Sequence, residues 1–186
     1  MAQPLIDGFG RVHRDLRISV TDRCNFRCGY CMPAEGLQWL QRSELLTFEE
    51  IERVARLLVE RHGIDSIRLT GGEPTVRADL SRLVRMLANL DVDLALTTNG
   101  ATLGLAAAGL ADAGLRRINV SLDSLRADRF ADLTLRDELS RVLDGIDAAL
   151  SAGLDPVKIN VVVMRDVNDD EPVSYTHLTL PTICSV

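Results

Sequence analysis

The chain has 186 residues, 46% hydrophobic and 26% charged, with a formal charge of −6 and a mean hydropathy of +0.07. That balance describes a globular protein long enough for one real core, argues against a general nucleic-acid binder, and leaves no apolar run near the length of a membrane span. The opening stretch Met1-Ala2-Gln3-Pro4-Leu5-Ile6-Asp7 lacks the basic and apolar regions of an export signal. The expected setting is therefore a reducing cytoplasm, where cysteines ligate metals rather than pair.

The spacing predicts five strands, over 16–20, 66–69, 93–97, 117–122 and 157–164, alternating with helices. Thr47-Phe48-Glu49-Glu50 reads as a capping box opening the first helix, with Ile51, Val54, Leu57 and Leu58 on one face and Gly63 as its stop. Further helices are expected over 78–90, 103–113 and 138–152, the last two closing near Gly114 and Gly153. Strict β/α alternation implies right-handed crossovers and an α/β fold with a parallel sheet.

Alternation along the strands gives each an apolar and a polar face. Leu16, Ile18 and Val20 oppose Arg17, Ser19 and Thr21; Ile67 and Leu69 oppose Arg68 and Thr70. Leu94 and Leu96 oppose Ala95, Thr97 and Asn99; Ile118, Val120 and Leu122 oppose Asn119, Ser121 and Asp123; Ile159, Val161 and Val163 oppose Lys158, Asn160 and Val162. A closed eight-stranded barrel fills its interior with branched apolar residues. A polar inner face instead suits a partial (β/α) barrel around a wet, ligand-filled cavity, the alternative being an open sheet with one solvated face.

The polar motifs gather at the carboxyl ends of these strands, where parallel α/β folds build their sites. After the first strand, Cys24, Cys28 and Cys31 form a C-x3-C-x2-C run. Three thiolates are one fewer than an iron–sulfur cube or a zinc site normally takes, so a cube held this way leaves one iron open to a small molecule. The competing readings are a zinc knuckle lacking its fourth ligand, for which His13 is the nearest candidate, or three reduced cysteines without metal. Gly71-Gly72-Glu73-Pro74 follows the second strand, Thr97-Thr98-Asn99-Gly100 ends the third and Ser121-Leu122-Asp123-Ser124 ends the fourth. Paired glycines can bring bare backbone close to a ligand, and Glu73 offers an acceptor for an ammonium group. Arg17, Arg68 and Lys158 are inward cations in an acidic chain and suit a triphosphate, unless an inward Asp123 pairs with them. Trp39 and Phe48 read as packing residues, His62 as a cation suited to a helix end, and the acidic run from Asp166 to Glu171 as a solvated loop.

A C-x3-C-x2-C loop ending in Tyr30-Cys31, with Gly-Gly-Glu-Pro after the second strand, resembles the radical S-adenosylmethionine (SAM) superfamily. Asp15 to Cys28, Leu45 to Ile51, Ile67 to Pro74, Asn119 to Ser124 and Val157 to Asn160, with Phe9-Gly10-Arg11, resemble in particular its MoaA family of GTP 3′,8-cyclases, lyases that begin molybdenum cofactor synthesis. The resemblance implies that Cys24, Cys28 and Cys31 hold a [4Fe–4S] cluster, that Tyr30, Gly72 and Ser121, with the flanking Gly71 and Glu73, contact SAM, and that Arg17, Arg68, Thr97 and Lys158 contact GTP. It implies no catalytic side chain beyond the cluster and bound SAM. It further implies an external electron donor, a second cluster in a carboxyl-terminal half that this chain lacks, and a homodimer for the full-length protein. The alternatives are another radical SAM enzyme, such as a peptide-modifying member, or a non-catalytic metal-binding module.

Residues 1–172 are thus expected to be the amino-terminal part of a radical SAM barrel. Residues 173–186 continue no periodicity, and Val173 to Thr182, back-translated, resembles a transposon-end adapter used in sequencing libraries, so this tail, with His177 and Cys184, is expected to be foreign. A barrel cut after five strands is expected to leave an exposed parallel edge and to be poorly soluble and inactive alone.

Overall fold

The computed structural model describes residues 3–32 and 38–178, with side chains through Tyr175. A five-stranded parallel sheet carries the chain in simple order: β3 (Asp15–Ser19), β4 (Ser66–Thr70), β5 (Asp93–Thr98), β6 (Arg117–Ser121) and β7 (Val157–Asn160). A two-stranded hairpin, β1 (Leu5–Ile6) and β2 (Val12–His13), precedes it. The crossovers are α1 (Phe48–His62), α2 (Leu80–Ala88), α3 (Leu103–Asp112) and the pair α4 (Ala127–Thr134) and α5 (Leu139–Ser151); α6 (Pro172–Leu178) follows β7. The sheet stays open, with β3 and β7 at its ends.

The alternation of the strands accounts for the layering. Ile67, Leu69, Leu96, Ile118 and Val120 are fully buried against the helices, joined by Leu83, Leu87, Leu103, Val142 and Ala149. Their neighbours Arg68, Thr97, Asn119, Ser121 and Lys158 are only half-buried on the opposite face. At about 1.5–3 kcal/mol per buried aliphatic side chain, this single layer supplies most of the drive to fold.

Thr47 caps α1 as expected, its hydroxyl accepting the Glu50 N–H while the Glu50 carboxylate accepts the Thr47 N–H. Gly63 closes the helix at φ 72°, where a left-handed residue returns two amides to the last carbonyls. The buried stripe differs from expectation: Phe48, Ile51 and Ala55 face the core, whereas Val54 and Leu57 are exposed. Positions 48, 51 and 55 lie on one line of a 3.6-residue period, and 54 and 57 fall to its side.

Three further differences have physical causes. The last strand ends at Asn160 rather than 164, because its partner β6 ends at Ser121; beyond that point Asp123 accepts the Val162 N–H at 2.9 Å and Asn168 donates to the Val162 carbonyl at 2.9 Å. The acidic run is not a solvated loop throughout. Asn168 and Glu171 are 1% and 4% exposed, with Glu171 accepting from Ser124 Oγ and the Leu125 N–H and pairing with Arg129. His62 spends its imidazole on the Gln3 carbonyl, 2.8 Å away, fixing the start of the hairpin to the end of α1. Of the segment expected to be foreign, Val173 to Leu178 completes α6 and Tyr175 is buried; residues 179–186, with Cys184, lie outside the described residues.

Candidate functional site: the cysteine loop

The loop begins where β3 leaves the sheet. Val20 still extends the ladder, its N–H donating to the Thr70 carbonyl at 2.9 Å, and Thr21 Oγ1 then accepts the Arg23 N–H to start the turn. The end of β4 comes up beneath it. Gly72 N–H donates to the Thr21 carbonyl and Glu73 N–H to the Arg23 carbonyl, both at 2.7 Å. A Cβ at Gly71 would stand 2.4 Å from the Thr21 carbonyl oxygen, and one at Gly72 would stand 2.3 Å from that of Arg23. The paired glycines therefore bring bare backbone close, but to the cysteine loop itself rather than first to a ligand.

The other wall is the carboxyl end of α4. Arg27 N–H donates to the Thr134 carbonyl at 3.0 Å, Gly29 N–H to the Leu133 carbonyl at 3.2 Å, and Arg136 Nε to the Asn25 carbonyl at 3.0 Å. Phe26 and Phe130, both buried, meet edge to face at 5.7 Å. Arg27 donates to the Cys24 and Phe26 carbonyls and lies over the Trp39 ring, 5.2 Å from its centre. Phe48, expected as a packing residue, is buried under the Arg77 guanidinium. A last tether comes from Tyr30, whose phenol donates to Asp123 Oδ2. Burial and that bond to Asp123 push the Tyr30 phenol well above its usual range. Asp123 is thus committed to Tyr30 and the Val162 N–H and is no partner for the inward cations.

Cys24 and Cys28 are half-buried and Cys31 is exposed, all three as free thiols. Burial raises the Cys24 thiol, and it pushes Cys28 up to about 11 with help from Asp123 and the neighbouring cysteines. Cys24 and Cys28 thus sit where the thiol form is favoured until a cation arrives to replace the proton. Among the described residues no three His, Cys, Asp or Glu side chains gather as ligands for a single metal ion, and His13 sits on β2 beside Asp7, 3.6 Å from its carboxylate. The alternative of a zinc knuckle therefore gains no fourth ligand from His13. What does fit a larger thiolate-bound group is the donor chemistry: the Phe26 N–H points at Cys24 Sγ from 3.4 Å and Asn99 Nδ2 from 3.8 Å, as amides do around ligand sulfurs.

Glu73 does not reach an open ligand position. It is 1% exposed and accepts from Thr75 N–H and Oγ1, from Thr98 Oγ1 at 2.7 Å and from the Asn99 N–H at 2.6 Å. Its carboxylate joins the loop after β4 to the end of β5. Ser121 ends β6 on the polar face, half-buried, with Asn160 as its partner on β7.

Arg17 and Arg68 stand directly opposite each other across β3 and β4; one row further up the sheet, Thr97, Asn119 and Lys158 are in register. Among the described residues none of Arg17, Arg68 or Lys158 joins an ion pair, and Arg68 Nε is buried without a hydrogen-bond partner. Like charges directly opposite each other in a sheet are destabilising, and this pair leaves two guanidinium groups without a counter-charge on the polar face. Arg117 lies in the row of Arg68 but pairs with Asp93. Sequence reasoning missed α4, Asn99 and Asn25 as parts of the site. The motif Thr97-Thr98-Asn99-Gly100 contained the only signal for any of them.

Residues 18–178 match the radical SAM superfamily profile. The chain belongs to the radical SAM superfamily. Curated relatives include proteins named GTP 3′,8-cyclase from Acidothermus cellulolyticus, 59% identical over 92% of this chain and 49% of the relative, and from Rhodopirellula baltica, 51% identical over 95% and 50%. A third, from Geobacter sulfurreducens, is 52% identical over 98% of this chain and 56% of the relative. This radical SAM chain thus spans about half the length of the curated relatives it matches. Among solved structures, Streptococcus suis SuiB bound to S-adenosylmethionine superposes with a TM-score of 0.70 at 20% identity, over 89% of this chain and 37% of SuiB. The anSMEcpe structure with bound AdoMet gives 0.67 at 19%, over 92% and 50%. These show the fold: an open five-stranded portion of the radical SAM partial barrel. Among the described residues no helix is long and apolar enough to cross a membrane.

Proposed function

We propose that this chain is the half of a GTP 3′,8-cyclase that bears the SAM-cleaving cluster. The observation that carries the reading is the unpaired facing pair Arg17 and Arg68, with Lys158 above, on the polar face of a chain half identical to proteins of that name. Cys24, Cys28 and Cys31 would hold a [4Fe–4S] cluster, whose chemistry, when it is bound and supplied by an external one-electron donor, is reductive cleavage of SAM to a 5′-deoxyadenosyl radical. The chain's own residues then have defined tasks. The end of β4, with Gly71 and Gly72 packed on the loop, and Ser121 at the end of β6 frame the SAM position from two strands. Tyr30 holds the cysteine loop toward β6 through Asp123. Arg17 and Arg68 lie nearest the amino ends of the strands and bind the triphosphate, while Lys158 and Thr97, one row closer to the cysteines, orient the ribose and its neighbouring phosphate. That order would turn the sugar toward the cluster, as abstraction from C3′ and closure onto C8 require. The missing half would close the barrel and supply the remaining contacts to guanine.

The test joins residues 1–172 to the carboxyl-terminal half of the Acidothermus relative and reconstitutes the hybrid anaerobically with iron and sulfide. With dithionite, SAM and GTP, the expected products are 5′-deoxyadenosine and 3′,8-cyclo-GTP, identified by mass spectrometry. Deoxyadenosine without loss of GTP rejects the substrate. Bound zinc in place of a brown cluster rejects the whole reading.

A further inference from the structure

The end of β5 places Asn99 between two parts of the molecule that the functional reading has so far treated separately. Its backbone N–H is held by Glu73 Oε2 at 2.6 Å, inside the core. Its side-chain oxygen accepts the Ala101 N–H at 3.1 Å, and the chain then turns through Gly100 at φ 83°. Because the Ala101 N–H can only donate, Oδ1 is fixed on that side and Nδ2 on the other. Nδ2 donates to Asn25 Oδ1 at 2.7 Å and points at Cys24 Sγ from 3.8 Å, within the longer reach of bonds to sulfur. The Phe26 N–H adds a second donor to the same sulfur at 3.4 Å. As a thiol, Cys24 can itself reach Asn25 Oδ1 at 4.0 Å; once deprotonated it can only accept.

We propose that the Asn99 side-chain amide donates to the Cys24 ligand sulfur and thereby raises the reduction potential of the bound cluster. The inference rests on the cluster reading above and deepens it. Hydrogen bonds to cysteinyl sulfur stabilise the more negative, reduced form of a cluster, and they are among the levers that set its potential. Two features make this amide more than a bystander. It is anchored at both ends, its oxygen by the Ala101 N–H and its nitrogen by Asn25, so little ordering is spent when the bond forms. It also comes from a strand 75 residues away in sequence from Cys24, so the potential is tied to the same strand end that carries Thr97.

The experiment measures the midpoint potential of the anaerobically reconstituted chain by mediated titration, with iron and sulfide content determined on the same samples. Asn99→Ser is neutral, can still accept the Ala101 N–H as a Ser turn, and is too short to reach Cys24. It is expected to bind as much iron as wild type and to be about tenfold harder to reduce, a shift of about 59 mV to more negative potential for a one-electron couple. Asn25→Ala leaves the Asn99 backbone bonds in place, and it should shift the potential the same way by less. Wild-type potentials in both variants at full iron overturn the inference. If Asn99→Ser loses iron, Asn25→Ala decides: a lowered potential at full iron supports the assignment, while an unchanged potential or lost iron overturns it, since these residues would then only hold the loop. A wild-type chain that takes up no cluster fails the functional reading itself and this inference with it.

Discussion

Replacing Gly72 with alanine should open the base of the cysteine loop. The added Cβ would stand 2.3 Å from the Arg23 carbonyl oxygen and 2.5 Å from that of Asp22. Both are backbone atoms, so neither can swing aside as a side chain could. Overpacking of this kind costs roughly 1–3 kcal/mol and occasionally more. The strain must also be relieved by parting β4 from the loop, which threatens the Gly72–Thr21 and Glu73–Arg23 bonds at about 1 kcal/mol each. Together the loss is about 3–5 kcal/mol. With a urea dependence of about 2 kcal/mol per molar for a chain this size, the unfolding midpoint should fall by roughly 1.5–2.5 M. Equilibrium urea unfolding followed by far-ultraviolet circular dichroism measures it, and the reactivity of Cys24 and Cys28 toward a thiol reagent in the folded state should rise. A shift below about 0.5 kcal/mol with unchanged thiol reactivity would refute the claim that these glycines are required by the protein's own backbone.

Glu73→Gln should cost about 1–3 kcal/mol, because one nitrogen of the amide must face a donor among Thr75, Thr98 and Asn99; thermal unfolding checks it. Arg129→Ala leaves the buried Glu171 carboxylate with Ser124 and the Leu125 amide, and it should lower the unfolding temperature in the same assay. The same change has a pH signature. Arg129 holds the Asp170 carboxyl below its ordinary value of 3.8, so that pair's contribution is present above pH 3.8 and is lost as the pH falls through the lower, folded value. Acid unfolding of Arg129→Ala should therefore begin at a higher pH than wild type; coincident acid transitions would show that the pair contributes nothing.

The sheet was readable because each strand alternates and three of the crossover helices carry punctuation: Thr47 and Glu50 at one end of α1, Gly63 at the other, Gly114 and Gly153 after α3 and α5. The facing of Arg17, Arg68, Thr97 and Lys158 follows from the same alternation. What stayed hidden lacked local signals. Helix α4 has eight residues, no side-chain cap at Arg126, and ends on Leu135 at φ 53° where a glycine would have announced the stop. Val161 to Met164 continues an apolar pattern, but a strand needs a neighbour, and β6 stops at Ser121, opposite Asn160. Asn168 and Glu171 look like solvated residues until Asp123, Ser124 and Arg129, some 42–47 residues earlier, are brought beside them. Gly71 and Gly72 announced a close approach, and only the fold showed to what.

The wall formed by α4 sets a schedule on synthesis. Cysteines 24, 28 and 31 leave the ribosome early, yet the carbonyls of Leu133 and Thr134 and the guanidinium of Arg136 that shape their loop follow more than a hundred residues later. At about 5–20 residues per second, the three thiols spend several seconds or more without the pocket that buries two of them. Throughout that interval they are ordinary, accessible sulfurs, open to oxidation and to any stray metal ion. On the cluster reading proposed above, iron delivered before α4 has docked would meet an unshaped eight-residue loop, so productive loading belongs after residue 136 has joined the fold.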